Sequence, residues 1–253
     1  MNSTIEPVKT YWASVSGGKD SLLMLQMVLN RPEQYPLNGV VHFELEIDYP
    51  FITAIIDDLE RECLKRGLKF YRIKPRTSWE ELYKQYGYPT RKARWCNSHY
   101  KLDSQRQFEQ WQKDLNTVPY FYIGYCYDEE KRYSKRNKNE IYPLVDLKIT
   151  ENSILKWAQK QPKFNNYYKS NRRCGCMMCP LSSYIDFAYC FKYYPEFYQK
   201  QLARMKETES RLSEELGRKF SIISGHTEYD SEYLDYIVRT KWVKILEEKE
   251  AAF

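Results

Sequence analysis

Six residues near the N-terminus, Ser16-Gly17-Gly18-Lys19-Asp20-Ser21, combine the side chains and backbone freedom that hold an anion. Adjacent glycines let the chain turn tightly and bring amide N–H groups close to a ligand. The following run, DSLLMLQMVL, reads as a helix, whose unpaired N–H groups and positive dipole end suit phosphate oxygens. Ser16 and Ser21 add hydroxyl donors, Lys19 adds charge, and Asp20 is placed to position the loop or Mg²⁺. The spacing is not that of a Walker loop, which needs four residues between its first glycine and its Gly-Lys pair. A second constellation lies at Arg173-Cys174-Gly175-Cys176-Met177-Met178-Cys179-Pro180. A Cys-x-x-Cys turn aims two sulfurs at one metal and Cys174 adds a third; soft thiolates select zinc or an iron–sulfur cluster. The closing proline favours iron–sulfur ligation, so a 4Fe-4S cluster is expected ahead of a structural zinc.

These groups need a frame. Residues 9–16 read as a buried strand broken at the glycine pair, residues 38–45 as a second strand, and residues 69–75 as a third. Between the last two, Ile52, Ile56, Leu59 and Cys63 recur at helical spacing until Gly67. Ser78-Trp79-Glu80-Glu81 fits a capping box opening another helix. Residues 102–111 read as helix, 119–124 as strand, 151–161 as helix after a Thr150 cap, 195–219 as a solvated helix, and the tail as helical from Ser231. Strands alternating with helices predict an α/β fold, a doubly wound parallel sheet with helices on both faces. The predicted division is a nucleotide-binding domain over 1–190, cysteine cluster included, and a helical extension over 191–253.

Composition narrows the class. The 253 residues carry 40 Lys and Arg against 34 Asp and Glu, a mild basicity compatible with a phosphate-bearing ligand or nucleic acid. No stretch approaches the ~20 apolar residues of a membrane span, and the expected setting is a reducing cytoplasm with no membrane partner. Tyr occurs 24 times against 9 Gly, so many surfaces must carry rings that are half apolar and half wet.

The loop SGGKDS resembles the phosphate loop of the ATP-pyrophosphatase superfamily (PP-loop, adenine nucleotide alpha hydrolase-like), whose members split ATP between its α and β phosphates to make an adenylated intermediate. Within it, the chain is most similar to the phosphoadenosine phosphosulfate reductase-like branch. Glu44-Leu45-Glu46-Ile47-Asp48-Tyr49-Pro50 resembles that branch's acidic segment, with Asp48 where the family has glutamate. Arg94-Trp95-Cys96 followed by Lys101 resembles its Cys-to-Lys motif, and Gly124 with Asp128, Glu129 and Arg132 its glycine, acidic pair and arginine block. Tyr142-Pro143-Leu144 before a helix also fits, and the likeness covers roughly residues 9–190.

The resemblance implies ATP with Mg²⁺ held by Ser16, Gly17, Gly18, Lys19, Asp20, Ser21, Lys101, Gly124 and Arg132, with Lys19, Asp20 and Asp48 in the catalytic roles. It implies Cys96 as fourth ligand beside Cys174, Cys176 and Cys179. Related proteins that transfer sulfur to DNA or tRNA are similar in pairing such a loop with such a cluster, so adenylation coupled to sulfur transfer is the leading expectation. Nucleic acid or a sulfur-donor protein is then a candidate partner. A reductase of an adenylyl sulfate is the alternative, but the family's late Glu-Cys-Gly motif is absent, Cys190 being the last cysteine. A zinc-stabilised, non-catalytic nucleotide- or nucleic-acid-binding protein is a third reading.

Two basic stretches stand out: Arg91, Lys92 and Arg94, and the run Lys131, Arg132, Lys135, Arg136 and Lys138 around Tyr133. Such interleaving suits a polynucleotide backbone, a solvated loop, or a grip on phosphate. Cys63, Cys190 and His42 read as core, while Cys126 and His99 remain open between packing and chemistry.

Overall fold

The computed structural model describes residues 6–134, 137–223 and 230–252. The chain forms two compact units: residues 1–45, 50–76 and 101–164 make the first, and residues 46–49, 77–100 and 165–253 the second. The cysteine segment and the C-terminal helices therefore share a unit.

In the first unit, β1 (Val8–Ser14), β2 (Gly39–Phe43), β3 (Lys69–Ile73), β4 (Thr117–Tyr122) and the two-residue β5 (Glu140–Ile141) form one parallel sheet in the order β3-β2-β1-β4-β5. The sequence anticipated four of these; β5 is too short to leave a periodic signal. The order reverses at β1, so β1 and β4 flank the switch point, where ligands of open parallel sheets bind beyond the carboxyl ends. The helices α1 (Lys19–Leu29), α2 (Pro50–Lys65), α4 (Leu102–Asp114) and α7 (Glu151–Ala158) flank this sheet. On one face Phe108 of α4 packs against Trp12, Val41 and Phe121, its ring edge-on to Trp12 at 5.2 Å. Short helices α5 (Glu130–Tyr133) and α6 (Pro143–Asp146) bracket β5.

The second unit holds α3 (Trp79–Tyr86), α8 (Tyr167–Ser170), α9 (Tyr184–Tyr193), α10 (Pro195–Leu216), α11 (Ser231–Ile237) and α12 (Val243–Ala251). Its core takes several of the tyrosines. Tyr49, Tyr167 and Tyr189 interlock with ring centroids 4.8–5.9 Å apart. Each hydroxyl must be satisfied inside, and Tyr167 donates to Asp186 at 2.7 Å while Tyr189 donates to the Asn165 carbonyl at 3.2 Å. The capping box of α3 forms as its sequence predicts: Ser78 Oγ accepts from the Glu81 N–H at 3.2 Å, and the Glu81 carboxylate accepts from the Ser78 N–H at 2.8 Å. Ser78→Ala should lower unfolding free energy by about 1 kcal/mol in urea melts, and a loss under a few tenths would show that tertiary packing alone holds this end. Among the described residues, no helix is long and apolar enough to cross a membrane.

Candidate functional site

The glycine loop sits where the sheet order reverses, between β1 and α1. Gly17 takes φ +77°, a left-handed conformation, and a Cβ there would stand 2.8 Å from the Ile52 Cγ2 of α2. Gly18 is the extended N-cap of α1 and offers no side chain to its first turn, leaving that role open to a ligand. Ser21 Oγ ties the loop together: it accepts from the Ser16 N–H at 3.2 Å and donates to the Gly18 carbonyl at 3.0 Å. The Ser16 hydroxyl lies 3.3 Å from it, at the exposed end of the loop.

Lys19 is the surprise of the loop. Its side chain is only 1% exposed, and its ammonium sits 2.7 Å from Asp20 Oδ1 and 3.9 Å from Glu151 Oε1 at the start of α7. The charge that the sequence assigns to phosphate is therefore already engaged by two carboxylates. Asp20 takes a further donor, the Cys126 thiol, at 3.5 Å. Cys126 follows β4 and is fully buried; burial first, then the negative charges of Asp20 and Glu129, push its thiol far above the ordinary range.

Gly124 belongs to the same place. A Cβ on it would lie 2.8 Å from the carbonyl carbon and oxygen of Asp20, so this glycine exists to let the segment after β4 lie against the start of α1. That segment is pinned along its length. The Tyr127 N–H donates to the Ile149 carbonyl at 2.8 Å, and Asp128 Oδ1 accepts from the Glu151 N–H at 2.9 Å. Glu129 Oε2 accepts from the Cys126 N–H at 3.2 Å, and Glu129 Oε1 pairs with Arg132 at 2.8 Å. The Arg132 guanidinium lies over the Tyr125 ring at 4.3 Å. Lys101, the other expected phosphate group of this unit, is exposed at the start of α4. Its charge reaches His42, which is buried with Nδ1 2.8 Å from the Val15 carbonyl and whose pKa is lowered chiefly by burial. Nothing local in the sequence marks Glu151 or Tyr125 as part of this site; the Thr150 cap locates the start of α7 but gives no sign of what its first carboxylate faces. Lys135 and Arg136 of the basic run lie outside the described residues.

In the second unit, Cys96, Cys174, Cys176 and Cys179 are each half-buried. Met178 adopts φ +57°, which closes the Cys-x-x-Cys turn so that the Cys179 N–H donates to the Cys176 carbonyl at 3.3 Å. The turn is held from outside: the Met177 N–H donates to the Ile47 carbonyl at 2.9 Å, Tyr88 Oη to the Met178 carbonyl at 2.7 Å, and Arg91 Nε to the Pro180 carbonyl at 3.1 Å. Cys96 opens a π-helical stretch, Cys96–Lys101, and its thiol is pushed up to about 11 by burial and by the neighbouring Cys179. Among the described residues, no three His, Cys, Asp or Glu side chains stand close enough together to hold a metal ion as they are placed. Asp48 also falls in this unit, near Tyr100, whose hydroxyl accepts from the Glu46 N–H at 2.9 Å. His99 is exposed and stacks on Tyr86 with centroids 5.6 Å apart. Cys63 and Cys190 are buried, as their apolar settings require.

Residues 10–182 match the model of the phosphoadenosine phosphosulfate reductase domain. Two curated relatives come from Methanocaldococcus jannaschii: the uncharacterized protein MJ0973, 28% identical over 204 residues (76% of this chain, 47% of the relative), and the uncharacterized protein MJ0066, 26% identical over 215 residues (79% and 42%). The chain thus spans less than half the length of these relatives. Among solved structures, the U34-tRNA thiolase NcsA from Methanococcus maripaludis, determined with its 4Fe-4S cluster, is similar over 96% of this chain and 74% of its own, with 16% identity and a TM-score of 0.41.

Proposed function

Because the chain belongs to the phosphoadenosine phosphosulfate reductase domain family, we propose that it binds ATP at the loop Ser16–Ser21 and adenylates a substrate, in service of sulfur transfer. The observation that carries this reading is the placement of SGGKDS at the reversal of a parallel sheet, with a glycine that offers no side-chain cap at the N-cap of its helix. The substrate's nucleophile forms a bond to the α-phosphorus as the bond from that phosphorus to the bridging oxygen breaks, and pyrophosphate leaves. The charge that builds on the leaving group is met by the first N–H groups of α1, the Ser16 hydroxyl and Lys19, while Ser21 keeps the loop in shape by donating to the Gly18 carbonyl. Asp20 positions the loop and would be a carboxylate for Mg²⁺, with Lys101, Gly124 and Arg132 of the same unit completing the nucleotide's surroundings.

The donor set of the second unit fits an iron–sulfur cluster in its chemistry: Cys96, Cys174, Cys176 and Cys179 share the unit, are half-buried, and Cys96 and Cys179 are near enough for their charges to interact. These four would hold it, and when bound it would supply a site for a sulfur atom or for electron transfer. Raised thiol pKa values mean that ligation releases protons, so metal uptake should strengthen as pH rises.

Pure protein given ATP, Mg²⁺ and candidate acceptors should release pyrophosphate, and AMP as well once a sulfur donor such as sulfide displaces it from the adenylated acceptor. Anaerobically purified protein should carry iron and acid-labile sulfide with broad visible absorbance; colourless protein containing zinc would sink the cluster. Cys176→Ser is expected to lose that metal and retain ATP binding by calorimetry. Loss of both properties in this one variant would overturn the assignment of two separate sites. The exposed cations Arg91, Lys92, Arg94, Arg172 and Arg173 flank the thiol residues in sequence and favour a polynucleotide as the acceptor. Salt-sensitive binding of single-stranded RNA or DNA, weakened by Arg91→Glu, would bear that out.

A further inference from the structure

We propose that Glu151 is the residue that takes Lys19 back when pyrophosphate leaves, a positioning residue that sets how tightly polyphosphate is held. The inference rests on the nucleotide reading of the loop and adds a residue to it. Three observations support it. First, Lys19 is almost wholly buried, yet its ammonium is reached by two carboxylates that are themselves partly open to solvent, 33% exposed for Asp20 and 18% for Glu151. A lysine in this setting does not reach out to a ligand from water; it exchanges one set of oxygens for another.

Second, the two carboxylates are not equivalent. Asp20 is inside the loop, in direct contact at 2.7 Å, and also accepts the Cys126 thiol. Glu151 comes from a different element and stands off at 3.9 Å, beyond hydrogen-bonding distance but within strong Coulombic reach. Third, the start of α7 that carries Glu151 is anchored through its backbone and its neighbours. Its N–H is held by Asp128 at 2.9 Å, Thr150 caps its helix through the Ser153 N–H at 3.4 Å, and the preceding Ile149 carbonyl is held by the Tyr127 N–H at 2.8 Å. The start of α7, and Glu151 with it, is thus anchored on the segment after β4.

A fixed negative charge beside the phosphate-binding ammonium does two things. It lowers the potential that Lys19 offers to an incoming polyanion, and it repels the polyanion directly. Both effects weaken polyphosphate binding and speed its departure, at a site where the chemistry leaves a product that would otherwise be gripped by helix N–H groups, hydroxyls and a buried cation together. Product release sets the turnover of many enzymes, and a built-in countercharge is a direct way to keep it from doing so.

The test is the binding of inorganic pyrophosphate, with Mg²⁺ present, to the full chain by calorimetry, and its dissociation by stopped-flow displacement. Glu151→Gln should bind pyrophosphate about tenfold more tightly than the unaltered protein and release it correspondingly more slowly. Glu151→Asp should return to near the original affinity, because the charge is restored. Glu151→Ser, small and compatible with a first helical turn, serves as the second neutral variant and should tighten binding like Glu151→Gln if either is impaired in folding. Unchanged or weakened binding in both neutral variants overturns the inference, since a structural post or a metal ligand would behave in that way. If the unaltered protein binds neither pyrophosphate nor ATP, the nucleotide reading itself fails and this inference with it; if it binds both and the neutral variants do not tighten, only this inference falls.

Discussion

Gly17→Val should abolish ATP binding and remove about 2–5 kcal/mol of stability, the largest effect expected from any single change in the phosphate loop. Two costs add. The backbone at Gly17 has φ +77°, a region in which a residue with a Cβ is penalised by roughly 1–2 kcal/mol, and a β-branched one more. The new Cβ also meets the Ile52 Cγ2 at 2.8 Å, and Ile52 is buried with Ile56 beneath the loop, so relief requires moving α2 or the loop. Overpacking of that kind costs about 1–3 kcal/mol. The loop is the cheaper element to move, and moving it misdirects the N–H groups that the proposed function assigns to the phosphates.

Gly217→Ala supplies the control. Gly217 also has a positive φ, +62°, but nothing lies within 4 Å of where its Cβ would be. That variant should lose only about 1 kcal/mol, by the backbone penalty alone, and bind ATP normally. Calorimetric titration with ATP and urea unfolding of the two variants side by side make the comparison. ATP binding by Gly17→Val at the unaltered affinity would refute the loop as the nucleotide site.

How much of this was legible beforehand depended on whether a residue's environment is local. The glycine pair, the capping box at Ser78 and the Thr150 cap are written within a few residues of where they act, and each takes the local conformation its residues predict. The parallel sheet follows from the alternation of strands with helices, although burial along the strands is uneven: β2 is buried over four residues, β1 and β4 at their C-terminal ends, and β3 only at Phe70. Helix α9 leaves no such signal in the sequence: Ile185, Phe187, Ala188, Tyr189 and Cys190 are all buried, and a helix apolar on most sides shows no amphipathic period. The π-helical stretches Cys96–Lys101 and Val238–Trp242 likewise break the 3.6-residue period that sequence reading relies on. In the site, Ser16–Ser21 was visible because its members are neighbours in sequence. The engagement of Lys19 by Glu151 joins residues 132 positions apart, through a segment pinned by Asp128, and no local pattern encodes it. Tyr abundance, mute as composition, gains a meaning in the interlocked rings of the second unit.

Glu209 should make the second unit lose stability as pH rises above the ordinary carboxylate range, and Glu209→Ala should cost about 3 kcal/mol or more. Glu209 lies on α10 at 7% exposure and collects three donors from the segment that follows: the Ile222 N–H at 2.9 Å, the Ser231 N–H at 3.0 Å, and the Ser231 hydroxyl. It is the post to which the start of α11 is tied. Truncation to alanine leaves those donors buried without acceptors, at roughly 1–3 kcal/mol for each one that water does not reach. The pH dependence follows from burial, the largest influence on this group, which raises its pKa above 4.5 although the three donors oppose it. A carboxyl whose folded pKa exceeds its unfolded one binds its proton more tightly in the native state. Its contribution is therefore complete below pH 4.5 and declines as pH rises through the folded value. Asp230, next to Ser231, is shifted the other way: burial pushes its pKa up, but its bond to Lys219 and the Tyr233 N–H bring it below 3.8 in total, so its contribution is lost only in stronger acid. Between about pH 4.5 and neutrality the Glu209 effect stands alone at this junction. Glu209→Gln keeps one acceptor but cannot ionise, so the stability gap between it and the unaltered protein should narrow as pH rises across that interval. Urea unfolding at a series of pH values measures the gap; one that widens with pH would mean that the three donors outweigh burial and that Glu209 is held as an anion.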